Sequence, residues 1–557
     1  VLPSVTSEPI RMTQPSYTHG ANSVALLGET IGANLRRTVE RVGDQDALVV
    51  AEQNYRATYQ ELWDSTTALA KSLLARGLEK GDRVGIWAPN RFEWVIIQFA
   101  TARIGLILVN INPAYKTQEL QHALNQSGLK LLLLARGFRQ TDYVEMVDRV
   151  RLQCPALEQT VVLEDDWAAL VDGGQSVDDA RLEACESNLT FDDPINLQYT
   201  SGTTGTPKGA TLSHHNILNN GFSCGEILGY SERDRVCVPV PFYHCFGMVI
   251  GNLACTSHGS CIVSPGAAFS AAETLATVAA ERCTSLYGVP TMFIAQLEHP
   301  EFELTDFSSL RTGVMAGSTC PIEVMRQVRE RMHIAEITIC YGMTETSPVS
   351  TQTRVDDSIE RRVATVGPAH PHVEIQIVDP ETGRVLPRGQ SGELCTRGYS
   401  VMLGYWQDEA ATAAVIDRRH WMHTGDLAAM DEDGYISIVG RIKDMIIRGG
   451  ENIYPREVEE FLYTHPDIAD AQVIGVPSAR YGEEVMAWVK PRVGAHIDPA
   501  ELTTFCRGAI ATFKIPRHWK IVDAFPMTVT GKIQKYRMRK ISTEELAVEN
   551  NSGNGQV

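Results

Sequence analysis

The chain has 557 residues, enough for more than one compact domain, and its composition is that of a globular protein. Apolar residues make up 43% and charged residues 21%, which excludes the apolar-poor, charge-rich class of disordered proteins. Acidic residues outnumber basic ones by 68 to 50, which excludes a generally basic, nucleic-acid-binding surface but not a local basic cleft.

The N-terminal segment lacks the pattern of a targeting sequence. Its first sixteen residues carry Arg11 as their one cation and also contain Glu8, unlike a secretory signal or a transit peptide. We therefore expect a cytoplasmic protein, or one of the mitochondrial matrix if a targeting segment has been removed upstream of Val1. The longest apolar stretch, 94–111, is interrupted by polar residues, so no transmembrane helix is expected.

The cysteines indicate buried thiols in a reducing compartment. Twelve of them are scattered between Cys154 and Cys506 without a Cys-x-x-Cys pair, which is unlike a disulfide framework or a zinc ribbon. We predict that these thiols stay reduced and serve as core residues.

The first half of the chain alternates between strand and helix patterns. An apolar run at 83–87 predicts a strand, and apolar residues spaced as in a helix follow from Phe92. Further strand-like runs occur at 106–111 and 129–134. This alternation predicts parallel sheets covered by helices.

The pattern changes after about residue 440, where we place a domain boundary. Beyond it, 455–464 has helical spacing, and 471–476 and 485–489 are strand-like. Another helix is predicted to begin after Asp498, because Asp can cap a helix whose first turn contains a proline. We therefore predict an N-terminal domain of residues 1–442 and a smaller α+β domain of residues 443–557.

A loop rich in hydroxyls and glycines follows the strand-like run at 195–199. Its sequence is Thr200-Ser201-Gly202-Thr203-Thr204-Gly205-Thr206-Pro207-Lys208-Gly209. Such a loop can surround phosphate oxygens with backbone and hydroxyl donors, although a flexible linker is the alternative. The lysine lies between Pro207 and Gly209, which does not match a Walker P-loop. A nucleotide is thus expected, but a P-loop ATPase or GTPase is not.

Four more strings occur downstream. They are Tyr341-Gly342-Met343-Thr344-Glu345, Thr424-Gly425-Asp426, Gly440-Arg441-Ile442-Lys443-Asp444 and Gly531-Lys532-Ile533. Each alone would be a turn or a surface charge. In this order, together with the hydroxyl-rich loop, they resemble the adenylate-forming superfamily of acyl-CoA synthetases, peptide-synthetase adenylation domains and beetle luciferases. The whole chain is similar to the fatty acyl-CoA synthetases, medium-chain acyl-CoA ligases among them.

The resemblance implies an α/β fold. A large N-terminal domain would contain parallel-rich sheets covered by helices and a barrel-like β region, and a small mobile α+β domain would follow. The hinge between them would be Lys443, because a polar residue there can absorb a backbone rotation. Arg448, Gly449 and Gly450 would line the coenzyme A tunnel, where glycines admit a narrow pantetheine arm.

The resemblance also implies a nucleotide site. Its residues would be Thr200, Ser201, Gly202, Thr203, Thr204, Gly205, Thr206, Lys208, Gly317, Ser318, Tyr341, Gly342, Thr344, Asp426, Arg441 and Lys532. Tyr341 would stack on adenine, and Asp426 would accept hydrogen bonds from the ribose hydroxyls. Glu345 would hold Mg²⁺, which prefers oxygen ligands.

Catalysis would depend on a small subset of these residues. Lys532 would bridge the substrate carboxylate and the α-phosphate, with Glu345, Thr344 and Lys208 as the other catalytic residues. Outside this set, His423 is predicted to be a packing residue.

The acyl pocket would be apolar. Its implied residues are Tyr243, His244, Phe246, Val289 and Gly317. A hydrophobic chain suits these walls better than an amino acid, whose ammonium group would need a carboxylate partner. A medium- or long-chain fatty acid is therefore expected, with an aromatic acid as the alternative. His244 is equally compatible with a core histidine.

The implied reaction is ATP-dependent ligation of a fatty acid to coenzyme A, through an acyl-adenylate and with release of pyrophosphate and AMP. The partners would be fatty acid, ATP with Mg²⁺ and coenzyme A, with transient membrane contact and a homodimer compatible with this role. Because a short segment follows Lys532, we expect a free acceptor. The alternatives are loading of a separate acyl carrier protein, luciferase-like oxidation of the adenylate, and a silent nucleotide-binding scaffold.

Overall fold

The computed structural model describes residues 14–200, 207–318, 320–478, 480–492, 494–527 and 533–553, with side chains as far as residue 547. Two large mixed sheets, one antiparallel sheet and one C-terminal sheet form the framework, with a short two-stranded ribbon at Gly137–Phe138 and Thr141–Asp142. The predicted α/β class is confirmed.

The seven-stranded sheet carries the predicted βαβ region. In spatial order its strands are Gly404–Tyr405, Lys208–Ser213, Pro194–Thr200, Ile107–Asn110, Arg83–Trp87, Leu131–Leu134 and Gln159–Val162. The last five strands are mutually parallel, and the first two are antiparallel additions at one edge. The strands predicted from apolar runs are therefore confirmed within a residue or two at their ends.

The eight-stranded sheet has the same organisation with a parallel centre. Its strands in spatial order are Val349–Gln352, Glu336–Gly342, Thr312–Ala316, Ser285–Gly288, Arg235–Cys237, Cys261–Ser264, Asp46–Val50 and Tyr55–Thr58. Both edge strands are antiparallel to their neighbours. Parallel strands share one direction, so their carboxyl ends present loops at one edge of the sheet.

The helix Phe92–Arg103 lies between the two large sheets, in contact with Ile107–Asn110 of one and Asp46–Val50 of the other. Every residue from Glu93 to Arg103 is buried, as expected for a helix covered on all sides. The two sheets and this helix share one hydrophobic core.

The remaining helices cover the sheets. They are Ile31–Val42, Tyr59–Ala75, Thr117–Ser127, Tyr143–Val150, Leu163–Asp172, Asp179–Ser187, His214–Leu228, Cys245–Gly247, Ala254–His258, Ala271–Ala280, Pro290–Leu297, Ile322–Arg331, Ile359–Ala364, Glu409–Ala413, Pro455–Leu462, Pro499–Cys506 and Lys535–Gly553. Met248–Leu253 is a π-helix, and the short 3-10 turns are Arg151–Gln153, Phe302–Leu304, Thr344–Thr346, Ile442–Asp444 and Thr512–Lys514. No helix in the part of the chain given above is long and apolar enough to cross a membrane.

The region predicted as barrel-like is a five-stranded antiparallel sheet. Its strands in spatial order are Tyr17–His19, Val373–Val378, Gly392–Gly398, Met422–Met430 and Ile436–Arg441. The pairing is open, with the first and last strands at the edges. This sheet contains both the Thr424-Gly425-Asp426 turn and Arg441.

The C-terminal sheet is built entirely from residues that follow Asp444. Its strands are Glu451–Ile453, Ile446–Arg448, Gly482–Pro491, Ile468–Ser478 and His518–Ile521. They pack around a hydrophobic core of their own. The helix predicted after Asp498 is confirmed, because the Asp498 carboxylate accepts a hydrogen bond from the Ala500 backbone N–H at 2.9 Å. The domain division at residue 443 stays a prediction.

All twelve cysteines are free thiols, and all but the half-buried Cys185 are buried. The predicted core location of these thiols is confirmed, and their staying reduced remains a prediction.

Two buried histidines make stability depend on pH. Burial lowers the pKa of His214 and of His370 to about 3 from 6.5. Below pH 6.5 the unfolded chain binds protons at these histidines that the folded chain does not. The free energy of unfolding therefore decreases as the pH is lowered from 6.5 towards 3. The slope approaches about 1.4 kcal/mol per pH unit for each histidine.

Chemical denaturation at several pH values between 4 and 7 tests this expectation. His370→Gln should reduce the slope of unfolding free energy against pH by up to about 1.4 kcal/mol per pH unit. His496→Gln, at an exposed position, should leave the slope unchanged. An equal slope in the His370 variant and the wild type would contradict the prediction.

Candidate active site

The two residues that flank the central part of the hydroxyl-rich loop, Thr200 and Lys208, are paired. Thr200 and Lys208 are the last paired residues of two antiparallel strands, and the Thr200 hydroxyl donates to the Lys208 carbonyl at 3.4 Å. The predicted residues Ser201, Gly202, Thr203, Thr204, Gly205 and Thr206 lie outside the described residues. The hairpin places Lys208 at the carboxyl end of the parallel strands.

Tyr405 connects Lys208 to Glu345. The Lys208 Nζ lies over the Tyr405 ring, 4.9 Å from its centroid, and the Tyr405 hydroxyl donates to Glu345 Oε1 at 2.8 Å. Burial and the nearby carboxylate raise the pKa of Tyr405, so the hydroxyl remains a donor. Tyr405 reaches this position because Gly404–Tyr405 pairs with the strand that begins at Lys208.

The Thr344–Thr346 turn holds Glu345 at the end of a strand. Thr344 and Glu345 are both buried, and the Glu345 carbonyl accepts a hydrogen bond from Met402 N at 2.9 Å. Gly342 is required just before this turn, because a Cβ there would lie 1.8 Å from the Pro348 carbonyl oxygen. The glycine therefore lets the chain turn tightly enough to present the carboxylate.

Asp426 is buried and bonded on both sides. The Tyr341 hydroxyl donates to its Oδ2 at 2.6 Å, and Arg441 Nε donates to its Oδ1 at 2.9 Å. Asp426 and Arg441 are opposite each other on paired strands. Burial and the Asp426 carboxylate raise the pKa of Tyr341, and the same carboxylate raises the pKa of Arg441.

The turn before Asp426 is fixed by the neighbouring strand. The Thr424 hydroxyl donates to the Leu394 carbonyl at 2.7 Å, and the Gly425 N–H donates to Glu393 Oε1 at 3.1 Å. Gly425 has φ +72°, a conformation that favours glycine. These contacts fix the position of the turn that precedes Asp426.

Gly317 and Ser318 follow the strand Thr312–Ala316, next to the strand that ends at Tyr341-Gly342. Both are exposed at the carboxyl edge of the eight-stranded sheet. Gly317 has φ +93°, and a Cβ there would lie 3.0 Å from Val289 Cγ1. The structure thus brings Gly317 and Ser318 to the same sheet edge as Tyr341.

A cavity of about 300 Å³ opens nearby. Tyr243 and Val289 line it together with apolar residues that include Phe138, Phe269 and Met292, and the polar part of its lining contains Asn90, Arg139 and Thr291. Its wall is therefore largely apolar.

The other predicted acyl-pocket residues do not line this cavity. Phe246 packs against Tyr287 with ring centroids 5.7 Å apart. His244 precedes a short helix and accepts a hydrogen bond from Phe246 N at 3.1 Å through Nδ1. Gly317 lies next to the cavity-wall residue Val289, since a Cβ at Gly317 would be 3.0 Å from Val289 Cγ1.

The predicted hinge and tunnel residues lie at the start of the C-terminal sheet. Lys443 is in the turn Ile442–Asp444, and Gly449 and Gly450, at φ +61° and +92°, form a two-residue hairpin turn. Arg448 pairs with Glu484 and lies 4.3 Å from the centroid of the Tyr481 ring. Its guanidinium is thus engaged within the C-terminal sheet. Lys532 lies outside the described residues.

Sequence reasoning did not find Tyr405 or Glu393. Both belong to strands that reach the site by antiparallel pairing across long stretches of chain, so no local pattern marks them. Met402 and Gly404–Tyr405 approach Glu345 together, from about sixty residues downstream.

Comparison with known proteins fits this geometry. The AMP-binding enzyme family matches at residues 35–406, and the C-terminal domain of AMP-binding enzymes matches at residues 457–532. The Bacillus subtilis candidate acyl-CoA synthetase YngI is 48% identical over 539 residues, which cover 93% of this chain and 98% of YngI. The mitochondrial medium-chain acyl-CoA ligase ACSF2 of Danio rerio is 43% identical over 557 residues, with 96% of this chain and 91% of the ligase covered.

A solved structure shows the same fold. The crystal structure of the anthranilate CoA ligase AuaEII in complex with anthranoyl-AMP superposes with a TM-score of 0.85 at 26% identity. The superposition covers 94% of this chain and 98% of that one. The chain belongs to the AMP-binding enzyme family and is an AMP-forming acid–thiol ligase of the acyl-CoA synthetase class.

Tyr405→Phe tests the connection between Lys208 and Glu345. The variant keeps the ring under Lys208 but removes the hydrogen bond to the carboxylate. Because hydrogen bonds to charged groups contribute about 1.5–3 kcal/mol, we expect ATP–pyrophosphate exchange to slow about tenfold or more.

The matched control is Tyr435→Phe, which removes a 2.6 Å hydrogen bond to Asp357 elsewhere on the protein. It should leave exchange unchanged. Equal rates in the two variants would contradict a role for Tyr405 at the active site.

Proposed function

We propose that this ligase activates a medium-chain fatty acid and transfers it to coenzyme A. The largely apolar cavity of about 300 Å³ beside Val289 carries the proposal. Apolar walls favour an alkyl chain, because each buried methylene stabilises the complex by about 0.8 kcal/mol. The medium-chain specificity named for the 43% identical Danio rerio ligase supports the same substrate class.

We assign the nucleotide to the sheet edge between Lys208 and Asp426. The hydroxyl-rich loop and Lys208 would contact the phosphates, and Asp426 would accept hydrogen bonds from the ribose hydroxyls. Tyr341 would keep its hydroxyl on Asp426 while its ring borders the adenine. Gly317 and Ser318 would flank the base on the neighbouring strand end.

Glu345 fits a magnesium ion. Its Oε1 is held by Tyr405, while Oε2 accepts no hydrogen bond from any residue that the structure describes, which leaves one carboxylate oxygen for a hard cation. When bound with ATP, magnesium would offset the negative charge of the phosphates. Tyr405 would orient the carboxylate for this role.

The first step would be attack of the fatty acid carboxylate on the α-phosphorus of ATP, with pyrophosphate as the leaving group. Two anions must approach each other, so cationic side chains near the α-phosphate lower the barrier. We assign this role to Lys532, with Lys208 and Thr344 on the phosphates. Positioning by the rigid Thr424-Gly425-Asp426 turn would keep the nucleotide in line with the acid.

The second step would be attack of the coenzyme A thiol on the acyl-adenylate, which releases AMP. We propose that rotation at Lys443 brings the Gly449–Gly450 turn to the acyl site. A side chain at Gly450 would be strained, because the residue has φ +92°. The two glycines would let the pantetheine arm pass close to the backbone.

Initial rates with saturated acids from acetate to palmitate, and with benzoate, test the substrate class. We expect thioester and pyrophosphate in equal amounts, with kcat/KM rising about fourfold per methylene until the chain fills the cavity. A maximum at benzoate, or pyrophosphate without thioester, would contradict the proposal.

A matched pair of variants links the chain-length preference to the cavity. Val289→Phe places a larger side chain in the cavity wall and should move the preferred acid to a shorter chain. Val385→Phe makes the same substitution at an exposed valine and should leave the profile unchanged. An unchanged profile in both variants would place the acyl chain elsewhere.

A further inference from the structure

Three potential metal ligands meet on two neighbouring strands of the antiparallel sheet. They are Glu393 and Cys395 on Gly392–Gly398 and His423 on Met422–Met430. Their ligand atoms all lie within 4.8 Å of one another. His423 Nδ1 is 3.5 Å from Cys395 Sγ and 2.8 Å from Glu393 Oε2.

We propose that Glu393, Cys395 and His423 bind a divalent transition-metal ion of the zinc type, at a site distinct from that of magnesium and ATP. A thiolate, an imidazole and a carboxylate form the kind of mixed donor set that zinc prefers, whereas magnesium prefers oxygen ligands alone. Three protein ligands leave a fourth tetrahedral position for water.

The backbone arrangement supports a site rather than a chance meeting. Cys395 and His423 are directly opposite each other in the strand pairing, so their side chains project from the same face. Glu393 lies two residues before Cys395 on the same strand, so its side chain projects from that face as well, and the extra residues of the register shift, Thr424 to Asp426, belong to the partner strand.

The ion has a path to this site. His423 is about one-third exposed, whereas Cys395 is fully buried and Glu393 is nearly so. An ion arriving from solvent would therefore meet the His423 imidazole first. The other two ligands, Glu393 and Cys395, lie deeper in the protein. Metal binding would open the 2.8 Å contact between His423 and Glu393, because both atoms would turn to the ion.

The site touches the turn that aims Asp426. Glu393 Oε1 accepts the hydrogen bond from Gly425 N, and Leu394 accepts the one from the Thr424 hydroxyl. A metal that draws the Glu393 carboxylate away would loosen this turn. On the proposed function of Asp426 as the ribose ligand, the ion would act as an inhibitor that raises the KM for ATP several-fold.

Titration with Co²⁺ tests the site directly. Untagged protein without nucleotide should bind one Co²⁺ per chain and show the thiolate-to-cobalt charge-transfer absorption of a cysteine ligand. Cys395→Ser and His423→Gln should each abolish this absorption. Cys185→Ser, which removes the half-buried cysteine, should retain it.

Each outcome has a separate meaning. No charge-transfer absorption, or absorption that persists in Cys395→Ser, would overturn the metal site. Thermal melting shows whether Cys395→Ser folds, and His423→Gln, at the more exposed position, provides the test if it does not.

The inhibitory effect is measured on protein loaded with Zn²⁺ and then freed of excess metal. A raised KM for ATP in the wild type but not in His423→Gln supports inhibition through the turn. An unchanged KM despite Co²⁺ binding would overturn the inhibition alone. Because the absorption is recorded without ATP or acid, it is independent of whether the proposed substrate is correct.

Discussion

The buried carboxylate of Asp426, bonded by Tyr341 and Arg441, is the interaction on which the site depends. A buried carboxylate loses its hydration, and this cost must be offset by charged or strong donors. Here one donor comes from the eight-stranded sheet and the other from the antiparallel sheet. The pairing therefore locks two sheets together at the point where the chain passes into its C-terminal part.

The rest of the site follows from strand direction. Parallel strands end at one edge of each large sheet, so the Thr344–Thr346 turn and Gly317 lie at the carboxyl edge of the eight-stranded sheet, and Lys208 lies at that edge of the seven-stranded sheet. Antiparallel edge strands then bring in residues from distant parts of the chain. The strand Gly404–Tyr405 places Tyr405 between Lys208 and Glu345. The Lys208 ammonium group lies over the Tyr405 ring, and the Tyr405 hydroxyl donates a hydrogen bond to the Glu345 carboxylate.

Much of this could be predicted from the sequence. Apolar periodicity predicted the strand Arg83–Trp87 and the helix from Phe92, and the cap at Asp498 predicted a helix start. The motifs pointed to Glu345, in the turn after the strand Glu336–Gly342, and to Asp426 and Arg441, which are opposite each other on paired strands. Tyr405 and Glu393 were not predictable, because long-range antiparallel pairing leaves no local pattern. The residues of the cavity wall were predicted only in part. Tyr243 and Val289 line the cavity, whereas Phe246 packs against Tyr287 and His244 accepts a hydrogen bond from the Phe246 N–H.

Calorimetry of ATP binding to the wild type, Tyr341→Phe, Asp426→Asn and the double variant tests the central claim most directly. Tyr341→Phe keeps the ring and removes only the hydroxyl, so any loss must pass through Asp426. We expect about tenfold weaker binding for Tyr341→Phe in the wild-type background and no further loss in the Asp426→Asn background. Losses that add in full would show that the two residues act independently and would contradict the account.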